Sequence, residues 1–294
     1  MFFHDKHLQY NAKPERPDPL YACKLQEVIG GQWGEMSVAI QYLFQGWNCR
    51  GPAKYRDMIL DIGTEEIGHI EMLATMVARL LEGADAETTE SVAKGNSVVG
   101  AVLGGTSPKD MIAAAAMNPQ HLIVSGQGAM PADSIGQRWT AAYIIASGNL
   151  LADFRMNVTA ESQGRLQVAR LYNMTQDRGV RDMLSFLLAR DTMHQNQWLA
   201  AIEELKADGL EDTPCPSNFP QELEAKRFSY QFLNCSRGTE SKEGRWAAGR
   251  APDGKGQFEY VDNPKPEGEE PILDGGADSR FYGTKKEPQM TTAV

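Results

Sequence analysis

Two sets of carboxylates and histidines in this chain have spacings suited to binding metal. Each set has a glutamate, then an acidic residue about thirty positions later, then a histidine three positions further on: Glu35, Glu66 and His69 in the first half, and Glu161, Asp191 and His194 in the second. Residues three apart on a helix project from one face, so a carboxylate and an imidazole there can share a metal. The repeated pattern predicts a site for two metal ions.

Breaks in the helical pattern fall at the points that would bring each set together. Gly51-Pro52 lies midway between the two glutamates of the first set, and Asp177-Arg178-Gly179 lies midway between the glutamate and the histidine of the second. Proline and glycine at these positions end helices and form turns. Each half is therefore predicted to be a helical hairpin whose ligands return to the same height on antiparallel helices.

Apolar residues at steps of three and four predict four helices. They extend from near Tyr21 to Gly51-Pro52, from about 54 to 81, from about 137 to 175 with an interruption near Ser147-Gly148, and from about 180 to 207. Residues 83–135, rich in small residues, are predicted to form a long crossover with a short helix around 110–117. The pattern indicates an all-α fold, a ferritin-like four-helix bundle with a long crossover.

Three regions are predicted along the chain. Residues 1–20 contain three prolines and are expected to form an extended arm, and 21–210 form the bundle with the metal site. Residues 211–294 are predicted as an irregular C-terminal extension, either disordered or laid over a neighbouring subunit, because 241–294 hold too few large apolar residues for a core. Both ends suggest a homo-oligomer.

Composition excludes several classes of protein. With 39 acidic and 29 basic residues, the net charge of −10 argues against a nucleic-acid partner. No secretory signal and no apolar stretch of membrane-spanning length is visible. The cysteines are scattered and indicate neither a zinc site nor a disulfide framework, which suggests reduced thiols in a cytoplasmic protein. They are Cys23, Cys49, Cys215 and Cys235.

Five of the six spaced residues are predicted to bind metal: Glu35, Glu66, His69, Glu161 and His194. Glu66 and His69 lie among Ile62, Ile67, Ile70 and Leu73. Burying a charge there is costly, and metal binding would remove that cost. Asp191 is one methylene shorter than Glu66, so it should reach a bridging position less easily. Oxygen-rich ligation with two imidazoles suits manganese or iron.

Other polar residues near these positions have weaker signals. Tyr42 lies two turns after Glu35 on the same face, so it is either a core tyrosine or a hydrogen-bond partner of the cluster. Glu65 points about a third of a turn away from Glu66, which favours a solvated or supporting position over metal binding. The remaining histidines have no partner at helical spacing and are predicted to be non-functional: His4, His7 and His121.

Longer segments of the chain resemble the manganese catalases. These segments are Gly34-Glu35, Gln41-Tyr42, Lys54-Tyr55-Arg56-Asp57-Met58, Gly63-Thr64-Glu65-Glu66-Ile67-Gly68-His69, Asn157-x-x-x-Glu161 and Phe186-Leu187-Leu188-x-Arg190-Asp191-x-x-His194. With the arm and the segment near residue 234, the resemblance covers most of residues 1–240. In that family, a dinuclear manganese centre that cycles between divalent and trivalent states converts hydrogen peroxide to water and dioxygen.

The resemblance implies a role for each site residue. Glu35 and His69 would serve one manganese ion, Glu161 and His194 the other, and Glu66 would bridge them. Asp191 stands where the family usually has a glutamate beside the ligands, and Ala160 where some members have an arginine, which would make the cluster more open. The residues expected to take part in catalysis are Glu35, Glu66, Glu161, Asp191 and Tyr42.

The resemblance also implies a calcium site and a hexamer. The calcium site of some relatives corresponds to Asp57, Asp61, Asn234, Ser236 and Gly238. The sequence itself supports only the two aspartates, which lie one helical turn apart and offer hard oxygen ligands.

Two other functions use the same bundle: a di-iron carboxylate oxidase or peroxidase, and a non-catalytic ferritin-like protein that handles metal. The first usually needs four carboxylate ligands, and Asp191 counts against it.

Overall fold

The computed structural model describes residues 4–82, 128–210 and 224–271. The chain divides into two compact units, Met1–Asn218 and Phe219–Val294. In the first unit, α3 packs along α4 and α5 packs along α6, which makes two helical hairpins. The helices are α1 (Pro19–Leu25), α2 (Glu27–Gly30), α3 (Glu35–Trp47), α4 (Ala53–Leu81), α5 (Leu150–Asn173) and α6 (Arg178–Ala207). The predicted four-helix, ferritin-like bundle is confirmed.

The first predicted helix is broken into three pieces rather than continuous from Tyr21 to Gly51. Gly31 has an extended backbone, with φ −70° and ψ 170°, which ends α2. A Cβ atom on Gly31 would lie 2.4 Å from the Glu27 carbonyl oxygen, and one on Gly34 would lie 2.7 Å from that of Ile29. Only glycine fits at these two positions of the turn, because a side chain would collide with the backbone. Because the chain turns back here, α3 begins at Glu35.

A glycine also brings α3 and α4 close together. A Cβ atom on Gly63 of α4 would lie 3.1 Å from Cβ of Tyr42 and 3.2 Å from the backbone nitrogen of Leu43. The close approach seats Tyr42 directly against α4. The connection between the two helices is the short Gly51-Pro52 turn that the sequence predicts, with Pro52 immediately before the first residue of α4.

The third helix begins later than predicted, at Leu150 instead of about 137. Residues 137–149 hold only a short 3-10 helix, Ala141–Tyr143, and the predicted interruption at Ser147-Gly148 is where the chain enters α5. The Asp153 carboxylate accepts hydrogen bonds from Ser147 N at 2.9 Å and from Ser147 Oγ at 2.6 Å. The side chain of Asn149 accepts from Ala152 N and caps the helix. Most of the predicted crossover, including its short helix at 110–117, lies outside the described residues.

Two apolar clusters hold the helices together, one on each side of the site residues along α4, α5 and α6. The first includes Leu25, Leu73, Met76, Leu80, Val168, Leu171, Met183 and Leu184. The second includes Tyr42, Tyr55, Ile59, Ile62, Leu150, Phe154, Trp198 and Leu205. On each of these three helices, the polar site residues occupy the stretch between the two clusters.

The arm before α1 is extended, as predicted, and lies along α4 and α6. The Tyr10 ring stacks on Phe186 with centroids 4.4 Å apart and planes at 7°. Arg79 donates to the Ala12 carbonyl oxygen at 2.8 Å. The arm is therefore fixed by contacts to helices from both hairpins.

The C-terminal unit contains a small sheet, so this part of the chain is not wholly irregular. Its strands are β1 (Gln231–Asn234), β2 (Gly249–Arg250) and β3 (Gln257–Asp262). The order is β1-β3-β2, with β1 parallel and β2 antiparallel to β3. Two strands come from the tail that the composition marks as unable to form a core. In the described part of the chain, no helix is long and apolar enough to cross a membrane.

Candidate metal centre

The bundle brings all five predicted ligands to one place. Glu35 is the first residue of α3, Glu66 and His69 lie near the middle of α4, Glu161 near the middle of α5 and His194 near the middle of α6. All five are buried, and Glu66, His69 and His194 have no exposed surface. They form two groups, each with ligand atoms within 4.8 Å of one another: Glu35, Glu66 and His69, and Glu66, Glu161 and His194.

Glu66 belongs to both groups because its two oxygens face different histidines. Its Oε2 lies 2.6 Å from His69 Nδ1, and its Oε1 lies 2.7 Å from His194 Nδ1. Glu35 Oε2 is 3.6 Å from His69 Nδ1, and Glu161 Oε1 is 3.9 Å from His194 Nδ1. The Nδ1 atoms of both imidazoles therefore point into the carboxylate cluster.

The donor set fits a pair of metal ions. Glu66 Oε1 and His194 Nδ1, which face each other in the cluster, are buried without an aligned hydrogen-bond partner. Buried polar atoms without hydrogen-bond partners are costly, so their concentration in one place is typical of a metal-binding site. Ile62 and Leu73 are buried beside the cluster as expected, whereas Ile67 is 40% exposed. Carboxylate and imidazole donors without thiolate suit manganese or iron.

Burial and mutual charge change the pKa values within the cluster. Burial, followed by the charge of Glu66, raises the pKa of Glu35 to about 8. Burial alone would lower the pKa of His194, but the charge of Glu66 and hydrogen bonds to Glu65 and Glu66 raise it to about 10. Burial alone would lower the pKa of His69 as well, but the charge of Glu66 and hydrogen bonds to neighbouring carboxylates together raise it well above the ordinary value. In the absence of metal, protonated imidazoles supply the positive charge that the carboxylates require.

Tyr42 and Trp198 surround Glu161. The Tyr42 hydroxyl donates to Glu161 Oε1 at 2.6 Å, and Trp198 Nε1 donates to the same oxygen at 3.4 Å. The two rings lie 4.8 Å apart with planes tilted by 57°. Both side chains are fully buried. Trp198 was not among the predicted residues, although its position four after His194 places it on the same face of α6.

A buried amide network joins α3 to α5 next to the cluster. Asn157 Oδ1 accepts from Gln41 at 2.9 Å and from Gln45 at 3.0 Å, and Asn157 Nδ2 donates to Gln45 Oε1 at 2.7 Å. The network continues to Ile145, whose backbone N–H donates to Gln41 Oε1 at 2.9 Å. It fixes the rotation of α5 one turn before Glu161. The resemblance motifs include Gln41 and Asn157, but their pairing was not predicted.

The remaining predicted residues lie around the cluster or away from it. Asp191 is buried on α6, and burial together with the charges of Glu35 and Glu66 raises its pKa well above the usual range. Ala160 is 3% exposed and packs in the second apolar cluster. His4 and His7 are exposed and contact the nearby carboxylates of Glu71 and Asp5. His121 lies outside the described residues.

The predicted calcium ligands fall in different units. Asp57 and Asp61 are exposed on α4, and Asp57 pairs with Arg56 at 3.0 Å. In the C-terminal unit, Asn234 donates to the Gly238 carbonyl oxygen at 3.1 Å and closes a short loop. Among the described residues, the two groups that contain Glu66 are those able to hold a metal through three or more acidic, histidine or cysteine side chains.

A helical bundle that buries three glutamates and two histidines around one point defines a di-metal carboxylate protein of the ferritin-like class. Comparison with known proteins identifies which one. The family model for manganese-containing catalases matches residues 1–293. The chain belongs to the manganese catalase family.

Individual relatives agree with this assignment. The chain is 59% identical over 273 residues to a manganese catalase of Bacillus subtilis, covering 93% of this chain and 94% of the relative. It is 44% identical over 285 residues to a manganese catalase of Lactiplantibacillus plantarum, covering 96% and 98%. Its structure resembles that of wild-type KatB, a manganese catalase from Anabaena, with a TM-score of 0.65 at 26% identity, covering 90% of this chain and 100% of the other. The enzyme is accordingly a catalase, which disproportionates hydrogen peroxide to water and dioxygen.

Proposed function

We propose that the reaction takes place at two manganese ions per chain, one held by Glu35 and His69 and the other by Glu161 and His194, with Glu66 shared between them. The observation that supports this assignment is the position of the Glu66 carboxylate, whose two oxygens lie 2.6 and 2.7 Å from the Nδ1 atoms of different histidines. A carboxylate so placed can bind two cations at once. When bound, the manganese pair would give two electrons to one peroxide and take two electrons from the next.

The residues around the pair would control charge and protons. Glu161 keeps one oxygen engaged by the Tyr42 hydroxyl, which limits the ways in which that carboxylate can bind a cation. Burial, followed by the charges of Glu35 and Glu66, raises the pKa of Asp191 and favours its protonated form. A protonated carboxyl group next to the cluster can donate a proton to the peroxide oxygen that leaves as water. It can take up a proton again when a second peroxide is converted to dioxygen. We therefore assign Asp191 and Tyr42 to catalysis together with the three glutamates.

A donor-free oxygen measurement tests this function. Purified, haem-free protein loaded with manganese should consume peroxide without any added reductant and release one dioxygen for every two peroxides. Peroxide absorbance and an oxygen electrode, recorded together, give this ratio. Metal analysis of the same sample should give close to two manganese ions per chain. Peroxide loss without dioxygen would contradict the proposal and would indicate a peroxidase.

The two alternative functions give different results in the same experiment. A di-iron oxidase or peroxidase would need iron for activity and an electron donor for peroxide loss. A metal-handling protein would oxidise and retain added ferrous iron and evolve no dioxygen. Loading the metal-free protein with iron instead of manganese is therefore the matched control.

We propose that Asp57 and Asp61, which offer two carboxylates on one exposed face of α4 in the first unit, bind calcium, as the resemblance implies. The other residues that the resemblance names form a short loop within the C-terminal unit: Asn234, Ser236 and Gly238. Calcium prefers such hard oxygen ligands. Calorimetric titration of calcium into wild-type protein and into Asp61→Asn tests the assignment. Equal binding by the two proteins, or binding by neither, would exclude it.

We also propose a cytoplasmic homo-oligomer, most simply a hexamer, in which the 211–294 extension contacts a neighbouring subunit. The support comes from large apolar side chains that are exposed on the single chain and would be buried at an interface between subunits. Phe44, Trp47 and Ile145 are exposed by 44%, 54% and 46%. Within the described residues, Cys23 and Cys235 form no disulfide, as in proteins of a reducing compartment. Light scattering should give a multiple of 32.4 kDa. A mass equal to one chain would refute the oligomer.

A further inference from the structure

Glu65, which the sequence leaves as a solvated or supporting residue, lies beside both histidines. Its Oε2 is 3.2 Å from His194 Nε2, and its Oε1 is 3.6 Å from His69 Nε2. These nitrogens are on the opposite side of each ring from the Nδ1 atoms that face Glu66. A single carboxylate thus contacts the outer edge of two imidazoles whose inner edges face the metal cluster.

The chemistry of imidazole gives this position a consequence. A neutral imidazole has one nitrogen that carries a proton and one that has a free lone pair. Metal binding at Nδ1 requires the proton to be on Nε2, and a negative charge next to Nε2 favours that tautomer. From this arrangement we infer that Glu65 is a positioning residue that selects the metal-binding tautomer and orientation of His69 and His194 together. The inference rests on the proposed ligand assignment.

Two neighbours hold Glu65 in place. Arg190 donates to it through two nitrogens, Nε at 2.6 Å and Nη2 at 3.1 Å, a bidentate pair that fixes the carboxylate plane. Gln9 of the arm donates Nε2 to Glu65 Oε1 at 2.8 Å. Gly68 gives Gln9 room, because a Cβ atom there would lie 3.1 Å from Gln9 Oε1. The arm therefore reaches the metal centre through the Gln9 side chain, which helps to position Glu65.

Manganese affinity, measured by competition with a chelator, tests the role of Glu65. The variant Glu65→Gln keeps the size of the side chain and removes its charge, so its affinity for manganese should be about 10- to 100-fold weaker than that of the wild type. The electron paramagnetic resonance spectrum of the loaded divalent centre should change as well, because both imidazoles lose the charge that orients them. Gln9→Ala should weaken binding by a smaller factor in the same direction.

His4→Ala is the matched control. It removes a different contact between the arm and α4, the 2.9 Å pair of His4 with Glu71, and leaves Glu65 untouched. Its manganese affinity and spectrum should equal those of the wild type. Thermal unfolding of the metal-free forms shows whether a variant has lost its fold. If Glu65→Gln does not fold, the test uses Gln9→Ala and Gly68→Ala, which disturb the contact between Gln9 and Glu65. Their manganese affinities are then compared with that of His4→Ala.

The possible results separate this inference from the proposed function. Wild-type affinity in folded Glu65→Gln, or equal behaviour of Gln9→Ala and His4→Ala, would overturn the inference while leaving the dinuclear centre intact. Wild-type protein that fails to bind manganese would instead overturn the ligand assignment itself.

Discussion

The Tyr42 hydroxyl lies 2.6 Å from Glu161 Oε1 and donates a hydrogen bond to it across the interface between the two hairpins. Tyr42 belongs to α3 and Glu161 to α5, so the bond joins halves of the bundle that the chain connects only through a long crossover. A hydrogen bond within a protein contributes about 0.5–1.5 kcal/mol to stability, and about 1.5–3 kcal/mol when its acceptor is charged. The position of this carboxylate thus depends on a residue from the other hairpin.

Replacing Tyr42 with phenylalanine should loosen Glu161 without disturbing the ring packing on Trp198. We expect Tyr42→Phe to fold normally and to lose about tenfold or more in manganese affinity or in dioxygen production. The matched control is Tyr55→Phe, which removes another tyrosine hydroxyl bond, the 2.7 Å contact to Asp208 at the far end of α6. Loss of activity of the same size in both variants would show that the effect is not specific to the metal centre.

Removing one imidazole should empty half of the centre. His194→Gln is expected to lower the manganese content from close to two ions per chain to one or fewer, because the second group loses its nitrogen ligand. His7→Gln serves as the control, since His7 is exposed and contacts only Asp5 of the arm. Elemental analysis after identical loading gives the comparison. If the two variants retained equal manganese and equal activity, the ligand assignment would be wrong.

The stability of the metal-free protein should fall as the pH rises from about 7 to 10. The folded pKa of His194 is about 10 and its ordinary value is 6.5, so its stabilising contribution is complete below pH 6.5 and is lost as the pH rises through 10. The pKa of Glu35, raised to about 8, acts in the same direction, since its neutral form is the one favoured by the fold.

Manganese should remove this pH dependence, because the ions replace the protons of the cluster. Thermal unfolding of metal-free and loaded protein across this pH range measures both effects. A metal-free protein whose midpoint is constant or rises with pH would contradict the electrostatic account.

The amide network should contribute strongly to stability. Asn157→Ala removes the acceptor of Gln41 and Gln45 and leaves buried amides without partners, each at a cost of about 1–3 kcal/mol. We expect a clear drop in the free energy of unfolding, measured by urea denaturation of the metal-free protein. Asn196→Ala is the control, because Asn196 is exposed and donates only to the Thr192 carbonyl oxygen of its own helix. Similar drops in both variants would argue against the network.

The sequence predicts which carboxylates and histidines come together because helical geometry is local. Spacing of three between Glu66 and His69 and the turn at Gly51-Pro52 are enough to place both on one hairpin at the depth of Glu35. The glycines Gly31 and Gly34 also signal a break, yet the apolar periodicity continues across them and favours one uninterrupted helix. The helix breaks because each glycine lies close to a preceding carbonyl oxygen, and this contact is visible only in the folded chain.

Other features depend on partners far apart in the sequence. The bond between Gln41 and Asn157 spans 116 positions, and amide side chains have no spacing rule that would pair them. The parallel pairing of β1 with β3 likewise joins short segments that each have a weak strand pattern. Glu65 was predicted to be outside the ligand set because of its angle on the helix. The sequence does not indicate that both histidines would turn their outer nitrogens toward it.

The two apolar clusters have a further consequence for the alignment of the helices. On α4, α5 and α6 a polar layer separates one apolar stretch from the other, so a hairpin that slipped by one turn, about 5.4 Å, would drive carboxylates into hydrocarbon. A uniformly apolar bundle would tolerate such a shift at little cost. The acidic side chains thus penalise every misaligned packing of the hairpins, and selection for a single native alignment favours the same residues as selection for metal binding.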